Sequence, residues 1–215
     1  PQSHVDIHAV LTYMENSPEY GSLPILLYGH SWSGFGTAAA LNYGHKPAAV
    51  VSASGFNKER SIVRFQAVKM CGSLGALTLP WIAVIERFIF GKSAKYTAVE
   101  GINAYGGPVL IAHSKDDPTV PYDCSIAAAE GIENKNARIL VYEDRGHTLS
   151  RPVAAEDVIK ADIVGKPRRK LRKDECYFKY EVDVHYHYSK KEVVFATDEG
   201  FMDKAEEFFR AALSK

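Results

Sequence analysis

Ser31, the acid pair Asp116-Asp117 and His147 are the residues whose types and surroundings could make and break a covalent bond. A serine hydroxyl is a poor nucleophile at neutral pH and needs a base within hydrogen-bond reach. An imidazole can take its proton and later return it to a leaving group, while a carboxylate behind the ring fixes the tautomer and stabilises the imidazolium. Attack on a carbonyl makes an oxyanion that backbone N–H groups must meet, and Trp32, the residue after the serine, offers one. Such chemistry needs neither a metal nor an organic cofactor, and none is expected.

Chemistry of this kind demands rigid supports. Leu23 to Tyr28 is a continuous apolar run bounded by turn residues and reads as a short buried strand. Thr37 to Tyr43 reads as a helix closed by Gly44. Between them, Gly29-His30-Ser31-Trp32-Ser33-Gly34 must turn sharply with a serine at the apex, as in a G-x-S-x-G nucleophile elbow. Residues two before and two after the apex approach closely and must be small. Gly29 and Ser33 satisfy that for Ser31, whereas making Ser33 the apex would place the bulky Phe35 at a flank. A serine- and glycine-rich turn without chemistry is the plain alternative for this stretch taken alone.

Three further runs, Ala48 to Ala53, Pro108 to His113 and Ala137 to Tyr142, read as strands, with a helix expected from Asp123 to Ile132. Apolar strands alternating with helices imply a parallel sheet covered on both faces. Active groups in such sheets gather beyond the carboxyl ends of the strands. Ser31 follows the first strand, Asp116-Asp117 the third and His147 the fourth, in the chain order Ser, Asp, His.

These motifs together resemble the α/β-hydrolase superfamily, in its esterase, acylglycerol lipase and serine aminopeptidase-like branch. The resemblance covers residues 1 to about 150 and the last helix. The family's acid loop often reads G-x-x-D-x-x-V-P, which matches Ser114 to Pro121 with serine for glycine and selects Asp117 as the acid. It implies a mostly parallel sheet flanked by helices. The hydrolase core would occupy 1–54 and 100–215, with a helical cap insertion over 55–99 and an insertion about 165–198 before the C-terminal helix. It also implies a serine hydrolase with catalytic Ser31, Asp117 and His147, acting on a small-molecule ester or acyl substrate. A peptidase or amidase of the same fold, and a non-catalytic binding protein or inactive fragment, are the alternatives. Family members carry several strands before the elbow, and here one helix precedes it. A fragment or reduced variant is therefore expected, short of part of its oxyanion hole and with an exposed sheet edge that invites association.

The rest of the sequence narrows the setting. Basic and acidic residues balance at 26 each, which gives no global pull toward nucleic acid or an anionic membrane. Cys71, Cys124 and Cys176 are odd in number and widely spaced, so reduced thiols and a cytoplasmic location are expected. Leu74 to Phe90 is interrupted by Pro80 and Glu86-Arg87 and reads as a buried or partly buried helix, with no membrane span. Apolar side chains of the cap, among them Ile62, Phe65, Trp81, Val84 and Phe88, are expected mostly to bury it against the core.

Smaller features take plain readings. An N-terminal amphipathic helix capped by Ser3 would turn Ile7, Val10, Leu11 and Met14 to one face and leave His4 and His8 on the surface. His30 and His113 are assigned to packing around the pocket. Six basic residues between Lys166 and Lys173 read as a solvated loop, and no nucleic-acid partner is expected. Cys176 to Tyr188 alternates like a strand, pairing with Val193 to Ala196 in a hairpin and leaving His185 and His187 exposed. The last helix, Phe201 to Leu213, would bury Phe201, Ala205, Phe208, Phe209 and Ala212.

Overall fold

Two of the apolar runs become strands without a single exposed residue. In the computed structural model, which describes residues 1–149 and 199–214, β2 (Ala49–Ala53) and β3 (Val109–Ser114) are buried along their whole length. They form the centre of a four-stranded sheet with β1 (Leu26–His30) and β4 (Ala137–Tyr142) at its edges. The order is β1-β2-β3-β4 and every neighbouring pair is parallel. All four carboxyl ends therefore point the same way. The expected second insertion over about 165–198, its hairpin, the basic run 166–173, Cys176, His185 and His187 lie outside the described residues.

Side chains alternate across each strand and feed two cores. On one face Val50 and Ile111 pack with α2 (Trp32–Ala40), through Phe35 and Ala38, and with α5 (Ala98–Tyr105), through Ile102. On the other, Val51, Ala53, Leu110 and Ala112 meet Phe201, Ala205 and Phe208 of α6 (Glu199–Leu213). α2 touches β1, β2, α5 and also α1 (Gln2–Asn16), so it is buried from Gly34 to Ala40. A helix enclosed on all sides must be apolar and slim all round, which its run of Gly, Thr and Ala residues achieves. Gly44 closes the following 3-10 turn with a left-handed φ of 89°.

Several expectations are corrected. Among the described residues β1 is an edge strand rather than a buried one, and Leu26 and Tyr28 remain 37% and 41% exposed. No helix forms over Asp123 to Ile132. A 3-10 turn at Tyr122–Cys124 leads into an antiparallel bridge between Ser125 and Phe56, and the Ser125 hydroxyl then accepts the Ala128 N–H. The bonds across the bridge, from the Asn57 N–H to the Cys124 carbonyl (2.9 Å) and from the Ile126 N–H to the Gly55 carbonyl (3.0 Å), outweigh the helix propensity of the alanines. Ser3 lies inside α1, Pro1 stands at the cap position without a side-chain bond, and Val10 is exposed.

Of the two N-terminal histidines, His4 is not a surface residue and His8 is only partly exposed. His4 is fully buried with its ring edge-on to Phe35, and burial lowers its pKa to about 4. His8 stacks on Tyr43 at 3.9 Å and its Nδ1 lies 2.7 Å from Nε2 of buried His45. The other ring nitrogen of His45 contacts the Glu15 carboxylate at 2.9 Å. This chain of rings pins α1 to the end of the α2 turn. Among the described residues, no group of three His, Cys, Asp or Glu side chains is placed to hold a metal ion.

Between β2 and β3 lie α3 (Glu59–Cys71) and α4 (Leu79–Phe90), joined and followed by 3-10 turns at Gly72–Thr78 and Gly91–Lys95. This region is helical, but the expectation that its apolar side chains are mostly buried fails. Ile62 and Leu79 turn inward, whereas Leu74, Leu77, Trp81, Val84, Ile85 and Phe88 are exposed, Phe88 to 92%. The reason is geometric: α4 packs chiefly on the turns at its own ends and, more sparsely, on α3.

Candidate active site

The turn after β1 is strained where the sequence places its serine. Ser31 has φ 58° and ψ −116°, a conformation that costs a non-glycine residue of order 1–3 kcal/mol and persists only when its surroundings enforce it. Enforcement is visible: the Ser31 N–H donates to the Ala53 carbonyl at 2.8 Å, and its own carbonyl accepts the Phe35 N–H at 3.2 Å. A Cβ on Gly29 would stand 2.2 Å from the Ser33 carbonyl oxygen, so only glycine fits there. Ser33, where a second glycine is usual, donates its hydroxyl to the His30 carbonyl (2.8 Å) and accepts the His30 N–H (3.1 Å). A second close approach falls one residue later, where a Cβ on Gly34 would meet the Ala53 oxygen at 2.8 Å.

The three loops beyond the strand ends converge. His147 Nε2 lies 2.9 Å from the Ser31 hydroxyl, and His147 Nδ1 lies 2.8 Å from one carboxylate oxygen of Asp117. A carboxylate can only accept, so Nδ1 carries the proton toward Asp117 and Nε2 is free to accept from Ser31. The other Asp117 oxygen accepts the N–H groups of Thr119 (2.8 Å) and Val120 (2.9 Å). That loop turn and burial to 5% exposure give the carboxylate one orientation. Ser31, Asp117 and His147, widely separated in sequence, thus form a single hydrogen-bonded relay. Trp32 opens α2, where first-turn N–H groups have no acceptor within the helix. Its ring packs edge-on against Phe56 at 5.1 Å.

A second tier holds the loops themselves. The His147 carbonyl accepts from His30 Nε2–H (2.8 Å) and from the Ser54 hydroxyl (2.7 Å). His30 thus does more than pack. The Ser114 hydroxyl donates to Asp116 (2.6 Å) and accepts the Arg145 N–H (2.8 Å), while Asp116 accepts the Gly146 N–H (2.8 Å). Asp116 therefore ties the acid loop to the histidine loop, and Asp117 alone reaches the ring. His113 is fully buried, its Nε2 bonded to the Val120 carbonyl at 3.0 Å and its Nδ1 without a partner among the described residues. Burial lowers its pKa, so it is a neutral brace beneath the acid loop.

Ser54 is the site residue that the sequence reading missed. It and Ser31 are the two non-glycine residues with positive φ among the described residues (50° and 58°). Ser54 follows β2 directly, so the rule that active groups follow strand ends would have found it had the second strand been treated like the other three. The hydroxyl roles of Ser33 and Ser114 left no signal, because each stands where the pattern prefers glycine.

No protein-family model and no curated protein matches the chain. Solved structures do. Acetyl xylan esterase 1 from Thermoanaerobacterium sp. JW/SL YS485 superposes with a TM-score of 0.52 at 19% identity, over 73% of this chain and 50% of that one. An acetyl xylan esterase from Paenibacillus sp. R4 gives 0.49 at 17% identity, over 77% and 52%. An alpha/beta fold family hydrolase from Bacillus anthracis str. Sterne gives 0.45 at 12% identity, over 75% and 73%. The chain spans about half the length of the two esterases. At these identities the likeness concerns the fold.

Proposed function

The chain has an α/β-hydrolase fold with four described parallel strands, and on that premise we propose that it is a serine hydrolase cleaving a carboxylic ester through an acyl-enzyme. The observation that carries this reading is the relay from Ser31 through His147 to buried Asp117 at 2.9 and 2.8 Å. The Ser31 oxygen attacks the ester carbonyl as its proton passes to His147 Nε2. The resulting oxyanion is met by the Trp32 N–H. Collapse expels the alcohol, which takes the proton from His147, and leaves the acyl group on Ser31. Water, deprotonated by the same ring, then releases the carboxylic acid and restores the serine. Asp117 keeps the Nδ1 proton facing away from Ser31 and balances the imidazolium charge.

Three supports hold the ring for this work: the Asp117 carboxylate on Nδ1, and His30 and Ser54 on its backbone carbonyl. Misplacement by about 1 Å can cost on the order of a hundredfold in rate, so these bonds belong to the mechanism. A panel of p-nitrophenyl acyl esters of rising chain length tests the reading. Hydrolysis with an acyl adduct on the Ser31 peptide, absent in Ser31→Ala, is expected. Hydrolysis that survives Ser31→Ala would contradict it.

A further inference from the structure

The exposed face of α4 is the largest feature that the proposed chemistry does not use. Trp81, Val84, Ile85 and Phe88 recur at helical spacing on one side, exposed to between 57% and 92%. Soluble surfaces scatter such residues singly, and a contiguous stripe marks something that covers it. Charge identifies the cover. Residues 55–99 carry seven basic and two acidic side chains, a net of +5 in a chain whose total is zero. Arg87 borders the stripe on α4 itself, and Lys92 and Lys95 follow in the turn at its end. Two copies pressed face to face would bring these positive collars together, whereas an anionic bilayer surface complements them.

We propose that the α4 face docks in the interface of an anionic lipid membrane, with its basic collar on the headgroups. The helix lies in the membrane plane rather than crossing it. Residues Glu59–Tyr105 include an 18-residue window of mean hydropathy 1.6, only 11% buried. Yet α4 has 12 residues, about 18 Å of helix against a hydrocarbon core of roughly 30 Å. A charged collar beside a Trp- and Phe-bearing stripe is the composition of an interfacial helix. The acid loop adjoins α3, the helix before α4: Gln66 and Lys69 of α3 donate to the carbonyls of Thr119 and Pro118, beside Asp117. A docked cap would hold that loop at the lipid surface.

Tryptophan emission reads the docking directly, because the chain has two tryptophans and Trp32→Phe leaves Trp81 alone. Vesicles of phosphatidylcholine with about a quarter phosphatidylglycerol should shift Trp81 emission to the blue and sediment the protein. Vesicles of phosphatidylcholine alone should bind it about tenfold less well. Phe88→Ser with Val84→Ser should weaken binding about tenfold or more, and Lys92→Glu with Lys95→Glu should remove the preference for anionic lipid. Ser31→Ala should bind as the parent does, which separates this proposal from the proposed chemistry. Trp81 emission unchanged at every lipid concentration would overturn the proposal. So would a blue shift without lipid that grows with protein concentration, which would make the cover a second copy.

Discussion

The strand-end loops and helix α4 divide the polar and apolar side chains of this protein in opposite ways. At the strand ends, the groups around the histidine are matched: buried Asp117 accepts from three donors, and the His147 carbonyl from two. On α4, apolar groups are exposed and unmatched, with Phe88 at 92% exposure. Buried polar networks are costly unless complete, so the first region tolerates little change. An exposed apolar face contributes little to folding, so the second can be altered freely within the folded chain. The difference separates residues fixed by their neighbours within the fold from residues free to meet something outside it.

Substitutions can sharpen or break that contrast. The largest effect belongs to the relay: Asp117→Asn should lower kcat on the order of a thousandfold to ten-thousandfold, read by ester hydrolysis, because the amide favours the wrong tautomer of His147. A comparable rate would dissolve the contrast. Next is Gly29→Ala. Its methyl would meet the Ser33 carbonyl at 2.2 Å, so a loss of about 3 kcal/mol or more in urea unfolding, or no folded protein, is expected.

A smaller effect comes from His4. Its folded pKa of about 4 lies below the unfolded value near 6.5, so the unfolded chain binds the extra proton between those values. Stability from this residue is therefore full above pH 6.5 and is lost as pH falls to about 4. Thermal unfolding of His4→Gln should show a flatter dependence across that window. Smallest of all, Phe88→Ser should change stability by no more than about 0.5 kcal/mol. A large loss would mean that the cap face is buried.

Much of the site was legible because local rules fix it. A strand, a tight turn and a slim helix specify the elbow, and the strand-end rule led to Ser31, the Asp116-Asp117 pair and His147. Choosing Asp117 over Asp116 needed a pattern, and the structure gives the physical ground: Asp116 is spent on the Ser114 hydroxyl and the Gly146 N–H. What sequence could not give depends on partners distant along the chain. The alanines before Ile132 promise a helix, but the bridge to Phe56 holds Ser125 extended. His4 looks like a surface residue until Phe35 and Tyr43 close over it. The stripe on α4 was visible as periodicity, yet periodicity shows that a helix has an apolar side and not that the fold covers it.

The relay from Ser31 through His147 to Asp117 can be probed without knowledge of the substrate. The chain is treated with an active-site-directed fluorophosphonate and digested, and the labelled peptide is identified by mass. A single adduct on Ser31, absent in Ser31→Ala and slowed at least about a hundredfold in His147→Ala, is the result expected from a serine whose proton passes to that ring. An adduct elsewhere, no adduct at all, or an unchanged rate in His147→Ala would contradict the account.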